Sequence, residues 1–406
     1  MRTKLLGLGA VAAASALVLA GCTSTTGDDP GTGSGAELVI WTDAEREEAI
    51  TSAAAKFTEE TGAKVTLVQK NFEDLRADFI AQVPTGEGPD ITVGAHDWLG
   101  ALVTAGVVDT IDLGDNASNF EAVALEAMTY DGQLYALPYS LETIALIQNA
   151  DLVGTEAPSS WDDMIARGQA AGTERPFVIN TNGETGDGYT MYGFQTSFGA
   201  PVFVQDESGS YTSEVGMGGA AGEAFAQWLA ANGSAGTGIL STTIDYDTNN
   251  ELFNSGKAPY TIQGPWAISA FPDVNVVVNP IPSAGGQEAS PFVGVQGFYL
   301  SSQSKSKLLA QEFLVNYLGT EEAQRALYEA DPRIPAWSAL AEEVSSDPII
   351  AGFVASSQNG VPMPSIPEMG SVWDFWNAAE SQIISGADPV STWNTMIENL
   401  TAALAG

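Results

Sequence analysis

Apolar residues along this chain fall into short continuous runs, alternating with stretches in which they recur at helical spacing. That is the pattern of buried strands alternating with amphipathic helices. Leu38-Val39-Ile40-Trp41 is the first run, and its continuity predicts a strand buried on both faces. Thr42-Asp43 then supplies helix-capping oxygens, and Glu45, Glu47 and Glu48 put negative charge in the first turn. Ile50, Ala53, Ala54 and Phe57 carry an apolar stripe that stops at Gly62, a residue suited to a left-handed helix end. Lys64 to Gln69 reads as a second strand, and Leu75, Phe79, Ile80 and Val83 mark a helix broken by Pro84 to Pro89. Asp90 to Gly94 reads as a third strand. This order predicts a parallel sheet with helices on both faces.

The alternation resumes later. Tyr260–Gln263 predicts a strand leading into Gly264-Pro265-Trp266, where proline suits a helix start. Val274–Val278 and Val293–Leu300 predict further strands, and Leu308, Leu309, Phe313, Leu314, Tyr317 and Leu318 predict one amphipathic helix. A Pro-rich loop over Val361–Pro367 precedes final helices around Trp373–Ile384 and Val390–Leu404. One doubly wound domain does not need this much chain, so two α/β lobes are expected, each a mostly parallel sheet flanked by helices. The ligand then belongs in the crevice at the strand carboxyl ends.

The amino terminus is different in kind. Arg2 and Lys4 precede an apolar run from Leu5 to Ala20 that is too short for a comfortable membrane span, so residues 1–21 read as a secretion signal. The run ends in Leu19-Ala20-Gly21-Cys22, which resembles a bacterial lipoprotein cleavage signal with Cys22 as the acylated residue. Residues 22–36 contain a Ser/Thr/Gly/Asp run without apolar periodicity, a flexible tether. The expected location is the extracellular face of the cytoplasmic membrane, held there by the lipid anchor only. No later stretch approaches membrane-spanning length.

Charge narrows the chemistry. The 406 residues carry 14 basic and 51 acidic side chains, a net charge of −37. Without Arg2 and Lys4 the body keeps 12 basic residues, and such an excess of negative charge repels nucleic acid. One cysteine and one histidine, His96, exclude a disulfide framework and multi-His or Cys-rich metal centres, and no cofactor is expected. The strand ends open onto Asp43, Glu45 and Arg46, onto Ala95-His96-Asp97-Trp98, and onto Gly264-Pro265-Trp266. Carboxylates, one arginine and tryptophans suit a neutral, hydroxyl-rich ligand: rings stack on sugar faces while charged groups bind hydroxyls. Trp41 ends a buried strand and reads as core, and His96 reads as a residue bonding backbone.

Several of these segments also resemble the maltose/maltodextrin-binding proteins of ABC importers. Leu38–Trp41, Ala95-His-Asp97, Glu142 within Leu141–Ile147, Gly264-Pro-Trp266, Pro291–Gly294 and Met363–Met369 occur in that family's order across nearly the whole mature chain. The resemblance implies a two-lobed, periplasmic-binding-protein-like α/β fold with the ligand cleft between lobes. The N-terminal lobe would comprise residues 37–140 and 298–345, and the C-terminal lobe residues 141–297 and 346–406. It implies hinge closure over maltose or a malto-oligosaccharide and delivery to the ABC permease subunits, by a monomer. By matching position it assigns Glu45, Arg46, Asp97, Glu142, Asp187, Tyr189, Tyr246, Trp266, Met363 and Trp373 to the sugar. Three departures stand out: Gly94 replaces a tryptophan, Trp98 an arginine, and Asn377 another arginine. These put chain length and linkage preference in doubt. A secreted glycoside hydrolase, which also sets acid pairs beside tryptophans, is the rival reading. A binder of another oligosaccharide, of a trehalose-like disaccharide or of a polyol is a third.

Overall fold

A computed structural model describes residues 36–183, 185–206 and 211–405. The secretion signal, Cys22 and all but the last residue of the tether lie outside the described residues. Two sheets organise the rest. In the larger one the strands run in the order Ile334–Pro335, Ala136–Thr143, Phe292–Ser301, Ile91–Ala95, Glu37–Thr42, Lys64–Gln69. The smaller sheet has the order Val276–Asn279, Ala145–Asn149, Tyr260–Gln263, Val178–Ile179.

The first strand and helix form as their residues dictate. Leu38 and Ile40 are fully buried, and Asp43 caps the helix Ala44–Thr61 by accepting from the Arg46 N–H at 3.3 Å. Gly62 ends that helix at φ +73°, a conformation costly for any residue with a Cβ. Strand Glu37–Thr42 pairs in parallel with both Lys64–Gln69 and Ile91–Ala95, as the helical crossovers require.

The expectation of a mostly parallel sheet in each lobe needs correcting. Two of the three pairings in the smaller sheet are antiparallel, and Phe292–Ser301 runs antiparallel to both Ile91–Ala95 and Ala136–Thr143. The cause is connectivity: Ala136–Thr143 continues through Ile144 into Ala145–Asn149, so one extended passage feeds both sheets without a helical crossover. The single amphipathic helix expected over Leu308–Leu318 is also different. Its Lys307–Phe313 turns give way to a π-helical stretch over Leu314–Leu318, and Leu308 is 82% exposed while Leu309, Phe313 and Leu314 are buried.

The two sheets serve different cores. One gathers Leu38, Phe57, Phe79, Leu141, Val295, Phe313 and Leu340. On the other side, Ile144, Phe194, Phe225, Phe292, Trp376 and Trp393 pack together, with an adjoining cluster around Phe253 and Phe353. The chain therefore passes between cores beside Ile144, beside Phe292 and between Leu340 and Phe353. Three passages thus connect the two cores. Among the described residues, no helix is long and apolar enough to cross a membrane.

Candidate functional site

From the first lobe, the start of helix Ala44–Thr61 presents Glu45 to solvent beside a groove of about 620 Å³ that Gln69, Asn71 and Phe72 also line. Arg46, one residue on, points the other way. It is buried, ion-paired to Asp43, donates from Nε to the Tyr139 hydroxyl, and lies over the Phe72 and Tyr139 rings at 5.2 and 5.5 Å.

His96-Asp97-Trp98 forms a tight turn at the end of strand Ile91–Ala95. The His96 ring joins two other passages: Nδ1 accepts from Val295 N–H at 3.0 Å, so Nε2 donates to the Met363 carbonyl at 2.9 Å. Burial pushes its pKa down to about 4, so the ring is neutral, as a backbone-bonding histidine should be. Met363 itself is buried beside this bond. Asp97 is buried as well, and its Oδ1 has no hydrogen-bond partner. Burial raises its pKa to about 7 against the pull of the Arg76 charge, with Glu142 raising it further. A buried carboxylate oxygen without a donor is a costly arrangement that a ligand hydroxyl would relieve.

Gly94 and Trp98 share one space. A Cβ at Gly94 would sit 2.6 Å from the Trp98 ring, which packs against Phe72 at 5.0 Å. The indole supplied by Trp98 fills the space that a side chain at Gly94 would need.

Glu142 lies on the passage strand opposite Gly294, and its two oxygens are taken: Oε1 accepts from Gln296 at 2.8 Å, and Oε2 is ion-paired to Arg333. Arg333 was not singled out from the sequence. A cation between Pro332 and Pro335 in a body with so few basic residues was the available signal.

The second lobe contributes rings. Asp187 caps the helix Gly188–Ser197, accepting from Thr190 N–H at 3.0 Å, Thr190 Oγ1 at 2.6 Å and Asn180 at 2.8 Å, while burial raises its pKa. Asn377 accepts from the Gly188 N–H at 2.8 Å, so this third departure is spent on starting the same helix. That helix holds Tyr189 half-buried, its hydroxyl without a partner, and its charge environment includes both Glu142 and Asp97. Trp266 stands on the turn after Gly264-Pro265, 6.3 Å from the Tyr189 ring. Trp373 is half-buried and stacks on the fully buried Trp376 at 5.5 Å and 16°. Tyr246 begins the helix Tyr246–Asn254, is 38% exposed, and feels the charges of Glu45, Asp331 and Arg333. The charges of Glu142 and Asp97 thus reach Tyr189, and that of Glu45 reaches Tyr246. Among the described residues, no group of histidine, cysteine and carboxylate side chains could hold a metal ion.

Residues 52–352 match the model of the bacterial extracellular solute-binding proteins, and the chain belongs to that family. It is 30% identical to the galactooligosaccharide-binding protein of Bacillus subtilis, over 87% of this chain and 86% of that one. It is 29% identical to the maltodextrin-binding protein MdxE of the same organism, over 93% and 92%. Among solved structures, the Thermus thermophilus maltotriose-binding protein bound with maltotriose superposes with a TM-score of 0.81 at 29% identity, covering 90% of this chain and all of that one.

Proposed function

We propose that the chain is the solute-binding component of an ABC importer, capturing malto-oligosaccharides between its lobes and handing them to a membrane permease. The observation that carries this reading is the pair of buried, unpartnered polar groups, Asp97 Oδ1 and Tyr189 OH, one from each lobe, with the Asp97 charge reaching Tyr189 and the Tyr189 ring beside Trp266. A sugar satisfies both groups only when it touches both lobes, so binding favours the closed arrangement. Glu45, Asp97, Tyr189, Tyr246, Trp266 and Trp373 would meet the sugar. Arg46, Glu142 and Asp187 would act from behind them, because their polar side-chain atoms already serve protein partners, and Met363 would do so through its carbonyl, which holds the His96 ring. Cys22 would carry the lipid anchor, and the protein would act as a monomer without catalysing a reaction.

A calorimetric panel of maltose, maltotriose, maltoheptaose, trehalose and a galacto-oligosaccharide tests this. Maltotriose is expected to bind and, at about 100 times its Kd, to stabilise the fold by about 2.7 kcal/mol. No glucose should be released over hours. Binding of the galacto-oligosaccharide alone would reassign the substrate, and steady release of glucose would make the protein a hydrolase.

The ionisation of Asp97 gives a second expected result. The carboxylate accepts sugar hydroxyls better than the acid does, and its pKa near 7 means that the two forms interchange around neutrality. Affinity is therefore expected to fall as pH drops below 7, by up to about tenfold per unit for one proton. Titrations at pH 5.5 and 8.0 measure this, and Asp97→Asn should flatten the dependence; an unchanged slope in that variant rules Asp97 out as the titrating group.

A further inference from the structure

Three half-buried rings, Trp373, Tyr189 and Trp266, are connected through the fully buried Phe292, and the series has an end. Centroids step from Trp373 to Phe292 over 6.4 Å, from Phe292 to Tyr189 over 6.2 Å, and from Tyr189 to Trp266 over 6.3 Å. The next group is a cation: Arg333 Cζ lies over the Trp266 ring, 5.6 Å from its centroid. Gly264 borders the same indole, since a Cβ there would come within 2.1 Å of the ring. Tyr246 reaches this end from its own helix, within range of the charges on Arg333, Asp331 and Glu45.

Arg333 is 5% exposed and held on two sides. Its Nε donates to Asp331 Oδ2 at 2.7 Å, its Nη2 meets the same oxygen at 2.6 Å, and its Nη1 pairs with Glu142 Oε2. Burial opposes the charge, but Glu142, Tyr139 and Asp331 together hold the guanidinium above its ordinary pKa. Swinging it aside would leave two carboxylates buried without a counter-charge, which is far costlier than any side-chain rotation. Arg333 is therefore fixed in place over the Trp266 ring.

Resting on the sugar-binding reading above, we propose that Arg333, anchored by Glu142 and Asp331, is the end wall of the cleft. The sugar ring that reaches Trp266 stops against the guanidinium, so one terminus of the oligosaccharide is enclosed while the other can extend. Arg333 is then a specificity-determining residue that reads a chain end.

The test compares three probes in a calorimeter: maltotriose, maltotriose carrying a p-nitrophenyl group at its reducing end, and maltotriose carrying a benzylidene acetal at its non-reducing end. The parent is expected to accept one modified probe within about threefold of maltotriose and to reject the other by tenfold or more. Arg333→Met should recover about tenfold of the affinity for the rejected probe relative to maltotriose. The double variant E142Q/R333M, which leaves no buried carboxylate at position 142, should behave alike, and circular dichroism checks each variant's fold. If neither variant folds, the parent's discrimination between the two modified probes decides the matter. Equal acceptance of both probes by the parent, or unchanged discrimination in a folded variant, overturns the wall. No binding of unmodified maltotriose by the parent instead removes the sugar reading, and the wall with it.

Discussion

Trp373→Ala is expected to weaken maltotriose binding by about 30-fold while moving the melting temperature of the unliganded protein by only a few degrees. The loss is about 2 kcal/mol, the contribution of a stacked aromatic ring and the apolar area it covers. The small effect on the fold follows from position. Trp373 is half-buried and lies on Trp376, and it is Trp376, fully buried against Tyr192 and Phe292, that fills the core of the second lobe. Isothermal titration beside a thermal scan separates the two effects. Affinity within threefold of the parent would take Trp373 out of the site, whereas a melting drop beyond about 10 °C would make it a core residue.

Replacing Glu380 by glutamine is expected to stabilise the protein at alkaline pH. Glu380 is fully buried in the helix Met369–Ile384, and neither carboxyl oxygen has a hydrogen-bond partner. The Trp376 indole N–H is the neighbouring donor, short of hydrogen-bond geometry. Burial first, and then the negative charge of Asp187, raise its pKa well above the ordinary value of 4.5. The folded chain thus holds a proton that the unfolded chain releases above pH 4.5. The stability from this group is complete below that pH and is lost as pH rises toward the native pKa, by up to about 1.4 kcal/mol per unit. Glu380→Gln removes that slope, so urea unfolding at pH 5.5 and 8.5 should show the variant gaining on the parent as pH rises. Parallel pH profiles for parent and variant would show that Glu380 is ionised in the native protein.

Much of this is legible in the sequence itself. The first strand is legible because a strand buried on both faces needs an unbroken apolar run, and Asp43 and Gly62 mark helix ends through local chemistry alone. The turn after Ile91–Ala95 and the Gly264-Pro265-Trp266 turn were located by the same logic. What stayed hidden depends on distant partners. The antiparallel pairings of Phe292–Ser301 join segments far apart in the chain, and periodicity does not encode strand direction. Leu308 fits an apolar stripe on spacing, yet the winding of the helix leaves it in solvent. Arg333 sits in a proline-flanked turn without any pattern, and its weight comes from Glu142, 191 positions earlier. Asp187 has the spacing of a helix cap to Thr190, a signal that the family resemblance overshadowed.

The exchange at Gly94 and Trp98 constrains how this surface can change over generations. Any side chain arriving at position 94 collides with the indole at 98, so it requires position 98 to become small first. That earlier step vacates the space against Phe72 and destabilises the lobe until the second replacement arrives. The two positions therefore form a ratchet with a costly intermediate, and descendants that keep Trp98 will keep glycine at 94.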